Sequence, residues 1–258
     1  MRVLLGALLG VWMAAGHAEV VIEEIEYSHD GESLTGYLAV DTSRAGPRPG
    51  VLVVHEWWGL NDYVIERARM LAELGYVAFA ADMYGSGKVT EHPPQAQEWM
   101  RAIAGNVEAW RARADAGLAV LRQQPGVDDT DLAAIGYCFG GATVMQLAYS
   151  GAEIDAVVSF HGSLPLPGDG QGETIKASVL AAHGEADGFV PDERVQAFQA
   201  AMEAAGVDWQ MAIYGGARHG FTNPNADQYG LENVAYDALA DERSWALMKA
   251  FLDERFAD

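Results

Sequence analysis

The sequence predicts an α/β protein: a mostly parallel, doubly wound sheet with helices on both faces. Short continuous apolar runs recur at residues 51–54, 77–80, 132–135, 156–160 and 179–182, each of strand length and each ending at a polar or glycine-bearing turn. Between them lie longer stretches whose apolar residues fall three and four apart, the spacing of helices that bury one face. Strands alternating with helices imply parallel pairing, because a parallel connection needs a crossover.

In order, residues 20–27 and 34–40 alternate apolar and polar, as expected of an antiparallel hairpin at the sheet edge. Residues 51–54 form a buried strand, 63–74 a helix and 77–80 the next strand. Residues 93–103 and 107–123 read as helices, the second leading to a strand at 132–135. A helix opens at residues 142–147, followed by a strand at 156–160. The stretch 163–176, with Pro165, Pro167 and several glycines, reads as a loop insertion. After the strand at 179–182, Pro191 starts a helix that continues through 198–204. A short strand at 211–214 and a closing helix at 235–256 complete the domain. No insertion is long enough for a separate lid domain, so the expected pocket is shallow to moderate.

Residues 1–18 have the form of a signal peptide: Arg2, an apolar stretch over 3–15, then Gly16-His17-Ala18 before an Ala18–Glu19 junction. The apolar stretch is short for a membrane span, and it lacks the cysteine of a lipoprotein signal. The expected products are a removed leader and one domain over residues 19–258, periplasmic or secreted, with no stable membrane span. The chain carries 37 acidic against 16 basic residues, a formal charge of −21, which makes nucleic acid and anionic lipid poor partners. Oligomeric state leaves no readable mark.

The single cysteine, Cys138, lies in Gly136-Tyr137-Cys138-Phe139-Gly140-Gly141, directly behind an apolar strand and ahead of a helix. This is the pattern of a nucleophile elbow, with a thiol where a serine is more usual. The glycines allow strand and helix to approach, and the helix N-terminus favours a thiolate or an oxyanion. One cysteine forms no internal disulfide, and a free thiol in an exported protein is open to oxidation. A buried packing thiol is the plain alternative.

Two further segments complete a constellation. The strand at 179–182 runs into His183-Gly184-Glu185-Ala186-Asp187-Gly188-Phe189-Val190-Pro191, and the strand at 211–214 into Gly215-Gly216-Ala217-Arg218-His219-Gly220-Phe221. Nucleophile, acid and histidine thus follow in the order of the α/β-hydrolase triad, each just beyond a strand. Asp187 competes with Glu185 for the acid role, and with a capping role ahead of the helix at Pro191. His55 and His183 are expected to satisfy hydrogen bonds at strand ends. His161, after the strand at 156–160, could approach the pocket, with structural use the default.

Those blocks, together with His55-Glu56-Trp57-Trp58-Gly59-Leu60-Asn61, resemble the dienelactone hydrolase family of cysteine-nucleophile α/β-hydrolases, in the family's order and over nearly all of the chain after residue 20. The resemblance implies Cys138 as nucleophile, Asp187 as acid and His219 as base. It implies Glu56 as an extra carboxylate that helps deprotonate the thiol when substrate binds. The backbone amides of Trp57 and Phe139 would form the oxyanion hole. Family members that grip a carboxylated lactone use two arginines; at those positions this chain has Ser86 and Asn223. Arg218 and Lys88 are near in sequence but at other spacings, and a bidentate guanidinium is not replaced by an amide. The substrate pocket is expected to be apolar and aromatic, with Trp58, Tyr84, Ser86, Phe221 and Asn223 in its lining.

No metal site or cofactor is expected. The His55-Glu56 pair lacks a second histidine at zinc spacing, and Gly85-Ser86-Gly87-Lys88 lacks the rest of a phosphate loop. Two functional classes follow: a hydrolase of ester, lactone or thioester bonds acting through an acyl-cysteine, or a small-molecule binder or thiol redox sensor on the same scaffold.

Overall fold

A computed structural model describes residues 19–257; the expected signal peptide lies outside the described residues. Eight strands form one sheet: β1 (Val20–His29), β2 (Glu32–Asp41), β3 (Arg48–Val54), β4 (Val77–Ala81), β5 (Val127–Tyr137), β6 (Ala156–Phe160), β7 (Ser178–Gly184) and β8 (Trp209–Tyr214), in the order β1-β2-β4-β3-β5-β6-β7-β8. β1 and β2 form the expected antiparallel edge hairpin, and β2 also runs antiparallel to β4. Every other neighbouring pair is parallel.

Strand alternation divides the core into two layers. Leu52, Val54, Val77, Phe79, Leu132 and Ala134 face α3 (Val107–Arg122), α4 (Phe139–Tyr149) and α5 (Asp192–Ala205). Val51, Val53, Ala78, Ala80, Ala133 and Ile135 face α1 (Asp62–Leu74) and α6 (Ala238–Arg255). Helices therefore cover both faces, the arrangement that lets parallel strands be apolar at every position. α4 is buried along its whole length, so the helix behind Cys138 is a fixed part of the core. α2 (Pro93–Ala104) buries only Ala96 completely and packs against α3.

The predicted elements are present, with shifts at their ends. β5 begins at Val127, ahead of the apolar run, and α6 starts after Asp237, whose carboxylate accepts from the Leu239 and Ala240 amides as an N-cap. The stretch 163–176 is more than a surface insertion. Leu164 is buried, the Tyr149 hydroxyl donates to the Pro165 carbonyl at 2.7 Å, and the segment walls the cavity described below. No separate lid domain is present among the described residues, and no helix there is long and apolar enough to cross a membrane.

Candidate active site

β5 ends in the turn predicted as an elbow. Cys138 has φ 55° and ψ −112°, in a region that non-glycine residues occupy only under constraint. The constraint is visible. A Cβ on Gly136 would strike the Gly140 carbonyl, and one on Gly140 would strike the Val54 carbonyl. β3, β5 and α4 therefore meet backbone to backbone at this turn, which closes through the Ala142 amide to the Cys138 carbonyl at 3.2 Å. The sulfur is half-buried and faces a cavity at the C-terminal edge of the sheet.

His219 lies on the loop after β8. Its backbone is pinned to a second segment: its amide donates to the Asn233 carbonyl at 3.2 Å, and its carbonyl accepts from Ala235 at 3.1 Å. Its Nδ1 is 2.8 Å from Asp187 Oδ2, while Asp187 Oδ1 accepts from the Phe189 amide at 3.0 Å. The buried carboxylate holds the proton on Nδ1 and leaves Nε2 as the free ring nitrogen, on a residue that lines the same cavity as Cys138. Burial works against the imidazolium, but the sulfur and the carboxylate outweigh it and hold His219 well above its ordinary value. Glu185 turns away to accept from the Gly216 amide at 3.1 Å, and Pro191 precedes α5 as its cap residue, so neither alternative for Asp187 holds in the structure.

Glu56 is 4% exposed, at the end of the segment after β3. Burial pushes its carboxyl up to about 7, against the hydrogen bond from Asn223 and the positive potential of His219 and Arg67. The Asn223 amide donates to Glu56 Oε2 at 2.6 Å. Asn223 is thus a neutral hydrogen-bond partner for this carboxyl. His55 accepts from the Met83 amide at 3.1 Å and so donates from Nδ1 to the Glu56 carbonyl at 2.6 Å, the strand-end role expected of it. His183 departs from that expectation: its Nδ1 has no partner among the described residues.

The cavity measures about 470 Å³. Trp57, Trp58, Met100, Trp110, Phe139 and Phe189 give it an aromatic and apolar wall, and Glu56, Gln97, Ser163 and His219 supply polar groups. Phe139 is stacked between Trp110 (5.3 Å) and Tyr84 (5.6 Å), and its carbonyl accepts from Thr143 Oγ1 at 2.9 Å. Its amide belongs to the first turn of α4, where N–H groups have no intrahelical acceptor.

Several expected pocket residues lie elsewhere. Ser86 sits outside the cavity, its Oγ accepting from Thr35 Oγ1 at 2.8 Å, because the turn after β4 folds back on β2. Phe221 is fully buried against His161 and Tyr214, in the core beneath the histidine loop. Tyr84 packs behind Phe139 and does not line the cavity; its hydroxyl has no partner among the described residues. Asn223 reaches the site through Glu56. Trp58 lines the wall and stacks on Tyr229 at 3.9 Å. Lys88 pairs with Glu32 and Arg218 donates to the Glu232 carbonyl, so neither enters the cavity. Gln97, Met100, Ala104 and Trp110 escaped the sequence reading, since a helical apolar stripe does not reveal what it faces. Among the described residues no cluster of His, Cys, Asp and Glu could hold a metal ion.

A mostly parallel sheet, a strained elbow residue ahead of a buried helix, and an acid and a histidine beyond β7 and β8 define an α/β-hydrolase fold. The same fold is shared by Est1E from Butyrivibrio proteoclasticus, at a TM-score of 0.64 and 18% identity over 91% of this chain and 99% of that one. The chain belongs to the dienelactone hydrolase family, whose sequence pattern matches residues 34–256. It is 41% identical to a dienelactone hydrolase-like promiscuous phosphotriesterase from metagenomic libraries, with a TM-score of 0.89 over 92% of this chain and 98% of that one. It is 31% identical over 235 residues to protein usf of Aquifex pyrophilus, covering 89% of this chain and 97% of the relative. The protein is accordingly a hydrolase of the lactone- and ester-cleaving class.

Proposed function

We propose that the protein is an exported hydrolase that cleaves uncharged esters, lactones or thioesters through an acyl-cysteine at Cys138. The observation that carries the reading is the His219 imidazole, bonded to Asp187 at 2.8 Å and lining the same cavity wall as Cys138. A thiol needs a base to become a good nucleophile at neutral pH. His219 Nε2 takes the thiol proton and the sulfur adds to the substrate carbonyl. The amides of Phe139 and Trp57 receive the oxyanion, each such donor contributing about 3 kcal/mol of transition-state stabilisation. As the tetrahedral intermediate collapses, the carbonyl–oxygen bond breaks and His219 returns the proton to the leaving alcohol. Water, deprotonated by His219, then attacks the thioester, releasing the acid and restoring the thiol.

Substrate charge follows from the lining. Among the described residues no arginine or lysine lines the cavity, and Glu56 sits in its wall, which disfavours a substrate carboxylate. Neutral acyl groups that fill an aromatic slot fit it. The relative named a promiscuous phosphotriesterase brings neutral phosphotriesters into the same class to be tested. Export rests on the form of residues 1–18 and is checked by cell fractionation with N-terminal sequencing of the product.

The test is hydrolysis of a panel of aryl esters, thioesters and lactones by residues 19–258, beside Cys138→Ala, with mass spectrometry on quenched reactions. The reading predicts turnover that vanishes in the variant and an acyl mass on Cys138. Folded, reduced protein with neither turnover nor adduct, but with ready oxidation of the thiol, would replace it with the redox-sensor reading.

A further inference from the structure

His161 is fully buried directly after β6, and it has a left-handed backbone, φ 40°, that a histidine keeps only when its surroundings demand it. Its amide donates to the Ala182 carbonyl at 2.8 Å, tying it to β7. Both ring nitrogens are engaged, and they reach the two segments that carry the reacting groups. Nδ1 is 3.1 Å from the Cys138 amide nitrogen, and Nε2 is 2.7 Å from Thr222 Oγ1 on the loop that carries His219.

We propose that His161 is a positioning residue: a brace between the nucleophile turn and the histidine loop that fixes how the Cys138 thiol and the His219 imidazole meet. The inference rests on the reading of Cys138 as nucleophile.

The hydrogen-bond directions allow only one tautomer. A backbone N–H can only donate, so Nδ1 accepts and Nε2–H donates to Thr222. The Thr222 hydroxyl also shares a hydrogen bond with Tyr63 Oη, 2.6 Å away on α1. Arg67, also on α1, donates to the Thr222 carbonyl and pairs with Asp241 of α6 at 2.6 Å. The far end of the brace is thus anchored to two helices. Its near end bears on Cys138, whose backbone is itself strained.

Charge favours the same form. Burial, then the positive potentials of His219, Arg67 and His183, holds His161 well below its ordinary value despite its own backbone contact. The ring lies 5.2 Å from the His219 ring, edge to face. A neutral brace leaves His219 free to carry the positive charge that a thiolate pair requires.

The brace is separable from folding. The Cys138 amide also donates to the Phe160 carbonyl at 3.0 Å, so losing Nδ1 does not orphan it. The test uses His161→Asn, which tolerates a left-handed backbone and cannot span to Thr222, and Thr222→Val, near-isosteric without the hydroxyl. Thr222→Ser serves as the conservative control. The readouts are the pH profile of Cys138 alkylation by iodoacetamide, kcat and KM separately, and thermal melting.

A loosened pair delivers less thiolate in acid, while at high pH the thiol ionises unaided. The expected result is an alkylation rate about tenfold lower near pH 6 and within about twofold near pH 9. On substrates that turn over, kcat falls about tenfold with KM nearly unchanged, and Thr222→Ser recovers to within about threefold. Folded variants with a wild-type alkylation profile would overturn the brace and leave His161 as packing. Should His161→Asn fail to fold, Thr222→Val alone decides by the same readout. Alkylation requires no turnover, so an inactive wild type with shifted variant profiles would sink the hydrolase reading and keep the brace.

Discussion

The Asn223 side-chain amide donates to Glu56 Oε2 at 2.6 Å, joining a loop beyond β8 to the segment behind β3. An arginine there would hold the carboxylate ionised; an amide offers a hydrogen bond without a charge. With burial dominant, Glu56 is pushed up to about 7, so it changes protonation within the neutral range.

The sign of the resulting stability change follows by linkage. Between the ordinary 4.5 and about 7 the folded state binds a proton that the unfolded state has lost, so stability falls as pH rises through that window. Glu56→Gln keeps the size and removes the charge. It should raise stability by roughly 3 kcal/mol near pH 8 and change little near pH 4.5, as read by urea unfolding at both pH values. Equal effects at the two pH values would refute the buried-charge account.

Asp187→Asn should keep the fold and lose the orientation of His219. The amide can donate toward Nδ1, which favours the wrong tautomer and turns Nε2–H toward the sulfur. A fall in kcat of about three to four orders of magnitude is expected, with KM changed little, measured on the best aryl ester. A loss below tenfold would show that the acid contributes only packing.

Substrate charge is open to a direct comparison. Aryl esters matched in size, one neutral and one carrying a distal carboxylate, should differ by at least about tenfold in kcat/KM in favour of the neutral one. Added salt should narrow but not abolish the gap, since part of it is desolvation in a cavity without a cation. Preference for the carboxylate would demand a cation at the site.

Gly140→Ala tests the close approach behind the elbow. The new Cβ meets the Val54 backbone, which is held within β3 and cannot move aside cheaply. A loss of about 3 kcal/mol or more, or failure to accumulate folded protein, is expected on denaturant titration. A neutral substitution would mean the turn has slack, contrary to the geometry at Cys138.

Much of the architecture was legible because it is written in local pattern. Apolar runs such as 51–54 and 156–160 mark strands buried on both faces, and glycines around Cys138 mark a turn with no room for side chains. The order of Cys138, Asp187 and His219 was visible for the same reason: each follows directly on a strand, and strand ends share an edge. The pocket was less legible. Ser86 and Phe221 have the right neighbours in sequence, yet one turns toward β2 and the other into the core.

What the sequence by itself determined is the sheet, the elbow and the candidate triad, since period, turn chemistry and strand ends act over a few residues. Only the tertiary structure decided how those groups are supported. Glu56 meets Asn223 across 167 positions, and Tyr63 meets Thr222 across 159. Whether two such side chains touch depends on how separate loops pack over one sheet edge, and no local periodicity encodes that distance.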